Sequence, residues 1–375
     1  MREGNRIGII LSSAKYKKLR NGDTNMRKAA LLYMKAARGR NCSVCFFRLQ
    51  DLKVGKTSVT CLIKERWRFK LTTVPVPKVI YKRVGHSRKH LPLFKNLKRN
   101  GTIVFKYYNN NYKWNVWKIV NNHNTLSKNQ PFTKIASVRS VKTMIADYPS
   151  VIIKPNRGEA GRGIMKINKA GKGKWALYTK NKNGLWRKRY FTNQLPGILV
   201  KRIKKRKYLV QQTIDLATYK GSRFDLRVAV QRNTNNQWQV TSVFGKVAQK
   251  GQLLTNMSQG GTSYTLDHIL QAHPTLQTEK VKQKVHNLAL NLAKHLGHYK
   301  PGMHDLGFDI GISKDGKPFL FEANHTNDYP FFSIKNGNLL HKDWYAVYKT
   351  PIDLAASLLP GRNSAKRKLF LNRIK

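Results

Sequence analysis

The chain is 375 residues long, with 73 lysines and arginines against 17 aspartates and glutamates, a formal net charge of +56. Charged residues make up 24% of it, an ordinary share, so the excess comes from missing acids as much as from added bases. A content of 40% hydrophobic and 10% aromatic residues excludes a disordered basic tail, and three cysteines exclude a disulfide framework.

No apolar run approaches the ~18 residues of a bilayer span. Ile7–Leu11 is also too short for a signal-peptide core, so a cytoplasmic protein is expected. A field this positive attracts anionic polymers, nucleic acid among them, without specificity. The densest basic run is Lys201–Lys207, and Arg362–Lys375 is another. A solvated helix face or a frayed terminus accounts for either.

In chain order, Ile7–Leu11 reads as a buried strand, and Asp23 or Thr24 as the cap of a helix to about Ala37, ended by Gly39. Ser43–Leu49, Ser58–Ile63 and Val79–Tyr81 follow as strands, and Leu91, Phe94 and Leu97 fall at helical intervals. Residues 107–117, rich in asparagine and aromatics, read as loop plus short helix. Ser137 caps a helical stripe of Val138, Val141, Met144 and Ile145. Val151–Lys154 is a strand, followed by a glycine-rich loop to Gly163 and by three strands, Ile164–Ile167, Lys174–Thr179 and Leu185–Phe191. A helix is expected from Thr192 to about Lys205, then a strand at Tyr208–Val210. Phe224–Gln231 and Gln237–Val247 form a hairpin. Val281, Val285, Leu288, Leu292 and Leu296 trace one helix face, with Gly297 as its stop. Strands Gly307–Ile312 and Pro318–Glu322 turn at Asp315-Gly316, and a last helix is expected near Pro351–Leu359. Mixed elements with several antiparallel pairs give an α+β fold with a large central sheet.

Two motifs fail on inspection. Val54-Gly-Lys-Thr-Ser58 resembles the end of a P-loop, but Gln50 stands where its first glycine belongs. Cys42-x-x-Cys45 has no second pair, only Cys61, and reads as two small half-buried residues on a strand rather than a zinc site. His295 and His298 read as helix-end residues.

The loop Gly158-x-x-Gly161-x-Gly163 is more informative, because glycines let backbone N–H groups approach phosphate oxygens and Lys154 stands just before it. A glycine-rich hairpin is the competing explanation. The acids decide between them. Five of the 17, Asp305, Asp309, Asp315, Glu322 and Asp328, lie within 24 residues of a chain that has shed acids elsewhere. Across the hairpin Asp309 and Glu322 can face one another, with Asn324 on the same face as Glu322. Two carboxylates and an amide oxygen suit Mg²⁺ bound with phosphates. On Arg223-Phe-Asp-Leu-Arg227, alternation puts Asp225 between two arginines, oriented by it, one of which can stabilise charge on a transferred phosphoryl group.

Taken in order, these residues resemble the ATP-grasp fold. Val151–Ile164 resembles its lid strand and phosphate-covering loop, and Tyr208-Leu-Val-Gln-Gln-Thr-Ile214 its hinge. Asp225-Leu-Arg227, Asn256 before Gly260-Gly261, Asp309 and Phe321-Glu-Ala-Asn324 match its core. With Val79–Arg83, Tyr112-Lys-Trp114 and Pro131-x-Thr133 upstream, the chain is similar to the YheC/YheD endospore coat-associated branch. The resemblance implies two α+β subdomains gripping a nucleotide: a region 1–135 before the ATP-grasp domain, the domain at 136–360 with its lid at about 136–212 and core at about 213–360, and a basic tail, 361–375.

By the same resemblance, Lys154 and the loop at Gly158, Gly161 and Gly163 contact ATP phosphates, and Gln211, Gln212 and Ile214 line the adenine pocket. Asp309, Glu322 and Asn324 hold Mg²⁺, while Arg227 and Asn256 face the transferred phosphoryl. Gln212 stands where the hinge often carries glutamate, and His325-Thr-Asn-Asp328 departs from the small-residue turn of well-known ligases. The implied activity is ATP-dependent ligation of a carboxylate to an amine or thiol, by a protein deposited on the endospore coat. The alternatives are a non-catalytic coat protein binding anionic polymers or coat proteins, and a nucleic-acid binder without a recognised module.

Overall fold

The computed structural model describes residues 5–105, 112–158, 161–181, 184–252, 255, 260–273, 275–299, 302–324 and 341–373. Its strands lie in three six-stranded sheets that follow one another along the chain.

The first contains β1 (Arg6–Leu11), α1 (Ser13–Arg20), α2 (Thr24–Arg38), β2 (Ser43–Arg48), β3 (Ser58–Glu65), β4 (Arg68–Pro75), β5 (Val79–Lys82), α3 (Leu91–Arg99) and β6 (Ile103–Phe105). The strand order is β4-β3-β2-β1-β5-β6, with β2, β1, β5 and β6 parallel. Parallel strands covered on both faces need continuous apolar runs, which Ile9-Ile10 and Phe46-Phe47 supply. Asp23 caps α2, its carboxylate accepting from the Met26 amide at 2.9 Å. The segment Val54–Ser58 leads into strand β3 rather than a helix, as the missing P-loop glycine implies. Cys42, Cys45 and Cys61 are all buried and free.

The second sheet follows α4 (Lys113–Asn121). It comprises β7 (Thr133–Ile135), α5 (Val138–Asp147), β8 (Ser150–Pro155), β9 (Met165–Gly171), β10 (Lys174–Lys180), β11 (Trp186–Phe191), α6 (Gly197–Lys205) and β12 (Tyr208–Gln212). It is antiparallel, in the order β11-β10-β9-β8-β12-β7. Val151 and Ile153 pack with Val141, Met144, Leu199 and Ile203 from α5 and α6, which cover one face. Alternation sends Ile152 and Lys154 to the other face. The helix expected from Thr192 begins only at Gly197, because Pro196 takes an extended ψ of 136° and serves as its N-cap.

The third sheet contains β13 (Thr218–Tyr219), β14 (Ser222–Arg232), β15 (Trp238–Val247), β16 (Thr262–Thr265), α7 (Leu266–Gln271), α8 (Thr278–Tyr299), β17 (Asp305–Ile312) and β18 (Pro318–Asn324). The apolar stripe of α8 joins Leu226, Val228, Phe308 and Ile310 in one core. Gly297 does not end α8, which runs on to Tyr299. A Cβ there would come within 2.9 Å of the Trp238 indole, so this glycine serves close packing and not a helix stop.

Two helices close the chain: α9 (His341–Ser357) and α10 (Ser364–Arg373). Pro351 lies inside α9 and does not begin it, as the sequence had suggested. Ile352, Leu354 and Ala355 of α9 pack with Tyr33 and Ala36 of α2 and with Ala229 and Phe244 of the third sheet. One apolar cluster therefore joins the first and third sheets through α9. The basic tail is not frayed: it forms α10, and Phe370 is buried with its ring 4.7 Å from that of His304.

Candidate active site

Lys154 points from the open face of β8 toward the third sheet. Its ammonium donates to the Gln211 side-chain oxygen at 2.8 Å and to the Phe321 carbonyl on β18 at 3.1 Å. Gln211 donates in turn to the Thr133 hydroxyl at 2.8 Å, and that hydroxyl to the Pro131 carbonyl at 2.9 Å. This chain of hydrogen bonds ties β7, β12, β8 and β18 together around one cation. Burial lowers the Lys154 pKa to about 8, opposed by the charges of Glu322 and Asp309.

The loop after β8 turns through Gly158, Gly161 and Gly163, all at positive φ. At Gly163 (φ +78°) a Cβ would meet the Arg206 guanidinium at 3.0 Å, the Tyr208 hydroxyl at 3.1 Å and Pro155 at 3.2 Å. The start of α4 fastens the same loop. Lys113 donates to the Gly158 carbonyl at 2.9 Å and pairs with Glu322 at 3.2 Å, and the Trp114 amide donates to the Asn156 side chain at 2.9 Å. The Arg157 guanidinium lies 4.0 Å from the Tyr112 ring centre. Lys113 was not singled out from the sequence, although it sits within the Tyr112-Lys-Trp114 motif that marked the region.

The carboxylates converge as the hairpin predicts. Asp309 on β17 and Glu322 on β18 are register partners, with a bulge after Asp309, and the Asn324 amide donates to Asp309 Oδ2 at 3.1 Å. Arg227, opposite Asp309 on β14, donates through Nε at 2.9 Å and Nη2 at 3.3 Å, a two-point grip. Lys246, from β15, reaches Asp309 at 2.8 Å and Asp225 at 3.1 Å. Burial works against the Asp309 charge, but Arg227 and Lys246 outweigh it and hold the carboxyl well below the usual range. Burial dominates at Asp225 and raises its pKa despite Lys246. The expectation that Asp225 orients Arg223 and Arg227 is corrected here: its ion-pair partner is Lys246. Lys246 went unnoticed in the sequence because a lysine on a strand of so basic a chain carries no signal.

Gln212 accepts from the Phe132 amide at 3.3 Å, and Ile214 lies half-buried just past the end of β12. Asn256 lies outside the described residues, as does Asp328. The other two clustered acids stand apart from the site. Asp305 accepts from the Tyr81 hydroxyl of the first sheet, and Asp315 from the Ser313 hydroxyl within its turn. His295 is used structurally, its ring nitrogen meeting the Ile119 carbonyl at 2.9 Å.

The donor set fits a hard divalent cation. Asp309 is held ionised, Glu322 is its neighbour across the strand pair, and Asn324 adds an amide group two residues on. Among the described residues no cluster of three or more His, Cys, Asp or Glu side chains forms a metal site, so the amide would have to complete the set.

Residues 102–358 match the YheC/D like ATP-grasp family. The chain belongs to that family. It is similar to the endospore coat-associated protein YheD of Bacillus subtilis (strain 168), 28% identical over 287 residues that cover 74% of this chain and 62% of YheD. YheC of the same organism is 24% identical over 263 residues, covering 68% of this chain and 71% of YheC. Among solved structures, the ATP-grasp ligase PsnB complexed with minimal precursor has a TM-score of 0.53 at 12% identity, over 95% of this chain and 99% of PsnB. PsnB with minimal precursor, Mg and ADP has a TM-score of 0.52 at 13% identity, over 94% and 98%. These likenesses establish the ATP-grasp fold. Among the described residues, no helix is long and apolar enough to cross a membrane.

Proposed function

We propose that this YheC/D-like protein is an ATP- and Mg²⁺-dependent ligase that joins a carboxylate to an amine or thiol and acts at the endospore coat. The observation that carries the reading is the convergence of Arg227, Lys246, Lys154 and Lys113 on the Asp309–Glu322 pair from four separate elements. The sheet β7–β12 is the lid and the sheet β13–β18 the core, with ATP between them. Lys154, Lys113 and the loop at Gly158, Gly161 and Gly163 hold its phosphates, and Gln211, Gln212 and Ile214 border the adenine. Asp309, Glu322 and Asn324 would hold Mg²⁺, which would supply positive charge against the phosphates.

In the first step a substrate carboxylate oxygen attacks the γ-phosphorus, and the bond to ADP breaks. Arg227 and Asn256 stabilise the transferred phosphoryl. In the second, the amine or thiol attacks the acyl carbon, phosphate departs, and the nucleophile loses its proton. Lys246 and Arg227 are already fixed by Asp309 and Asp225, so they stabilise developing charge without reorganising. PsnB, a ligase of the same fold, was solved with Mg and ADP.

Titration calorimetry tests this. Mg-ATP should bind the wild-type protein, and Glu322→Gln should remove the Mg²⁺-dependent part of that binding. No nucleotide binding by the wild type would end the proposal. The charge of +56 and the coat-associated names of the relatives favour one other reading, a structural coat protein that keeps the fold without turnover. ADP release dependent on an added carboxylate and amine excludes it.

A further inference from the structure

The face of the second sheet that carries Lys154 continues outward across β9, β10 and β11. Register sets Ile152 beside Lys166, Lys166 beside Tyr178, and Tyr178 beside Lys188. Parallel to this row run Ala176 with Tyr190 and Lys180 with Trp186. The row thus leads from the nucleotide cleft to the sheet's outer edge on one surface.

Two features distinguish it from the basic surface elsewhere. Lys166 is only 6% exposed and, among the described residues, meets no carboxylate. Its one strong electrostatic neighbour is another cation, Arg223 on β14 across the cleft, and burial with that neighbour lowers its pKa to about 8. Arg223 is half-buried and has the Asp215 carboxylate as its own counter-charge, so Lys166 is the cation of the two left to be met by an anion. Farther out, the lysines are held in place by rings. The Lys188 ammonium lies 4.5 Å from the Tyr190 ring centre and 5.9 Å from that of Tyr178, Lys174 lies 4.6 Å from Tyr190, and Lys180 lies 5.2 Å from Trp186.

We propose that this face, from Lys166 and Arg223 out to Lys188 and Lys174, is a docking track for an extended acidic polypeptide carrying the carboxylate to be activated. The inference rests on the ligase reading for the last clause alone. The row crosses the strands at their ~4.8 Å spacing, so Lys166 and Lys188 stand two strands apart, and an extended chain laid along the row brings acidic side chains to both. A nucleic acid would need bare ring faces for its bases. Here the rings of Tyr190, Tyr178 and Trp186 are capped by ammonium groups, so the surface offers cations and not stacking platforms.

The test is fluorescence anisotropy with a labelled oligoglutamate at physiological salt, with the full chain. Lys174 and Lys188 are exposed, so the double variant K174E/K188E keeps the fold, and K204E/K205E on the opposite face makes the same change in charge. The track predicts a loss of affinity of at least about tenfold for the first pair and under about threefold for the second. Lys166→Met should weaken oligoglutamate binding as well. Equal losses for the two pairs would mean a diffuse field and overturn the track. So would tighter binding of an oligothymidylate or of polygalacturonate at equal charge. Mg-ATP calorimetry on the same preparations keeps the two ideas apart: absent nucleotide binding removes the ligase reading, while the anisotropy result still decides the track.

Discussion

The buried Gln231 side chain on β14 donates through Nε2 to the backbone carbonyl of Val347 in α9, at 3.0 Å. Val347 is four residues before Pro351, whose missing N–H cannot supply the helical hydrogen bond to that carbonyl. A strand of the third sheet thus completes a helix that also packs on the first, and the proline is tolerated because of it. Gln231→Met should leave the carbonyl buried and unbonded, costing about 1–2 kcal/mol in urea unfolding. In a Pro351→Ala background the helix supplies its own donor, so the same substitution should cost ~1 kcal/mol less. Equal costs in the two backgrounds would show that Gln231 and Pro351 are not linked.

Lys154 has its folded pKa depressed to about 8 from an ordinary 10.5. Between these values the unfolded chain binds more protons than the folded one, so this group's contribution makes stability rise with pH across that window. Lys154→Met should flatten the rise. A bound triphosphate favours the charged lysine, so Mg-ATP binding should take up protons, increasingly so from about pH 7 to 9. Calorimetry in buffers of different ionisation enthalpy measures this uptake, and an unchanged uptake in Lys154→Met would refute the assignment.

Asp309 balances two buried cations, whereas Glu322 pairs with Lys113 and its side chain is 31% exposed. The two carboxylates should therefore separate in stability while acting together in metal binding. Asp309→Asn leaves Arg227 and Lys246 short of a counter-charge and should cost about 3–5 kcal/mol. Glu322→Gln should stay within about 1 kcal/mol of wild type. Chemical denaturation gives both values. A mild Asp309→Asn variant would mean that Asp225 alone balances Lys246 and Arg227.

Much of this was legible in the sequence, for identifiable reasons. β8 announces itself by the apolar run Val151–Ile153 ending in Lys154, and the depletion of acids made Asp309 and Glu322 conspicuous. α1 was missed because four of its eight residues are lysine or arginine and only Tyr16 and Leu19 are buried, too few to set a period. α9 was cut short because a proline ordinarily begins or breaks a helix, and the compensating Gln231 lies 120 positions before Pro351 in the chain. Lys113 and Lys246 were invisible for the opposite reason from the acids: each is one cation among 73, and only the fold brings it to a carboxylate.

Gly163 offers the cleanest test of the loop. Gly173, in the turn between β9 and β10, also has positive φ (+66°), but a Cβ there would meet nothing within 4 Å. Alanine at either position pays the left-handed backbone penalty of ~1–2 kcal/mol. At Gly163 the Cβ is additionally crowded by Arg206, Tyr208 and Pro155 at 3.0–3.2 Å, in the strands and the turn framing the loop, so these neighbours must give way. Gly163→Ala should therefore displace the loop that Lys113 fastens at Gly158 and weaken Mg-ATP binding, with hydrogen exchange rising at residues 156–158 and 161–164. Gly173→Ala should lose a similar backbone increment and leave nucleotide affinity unchanged. If both variants bind Mg-ATP as the wild type does, the loop does not cover the phosphates.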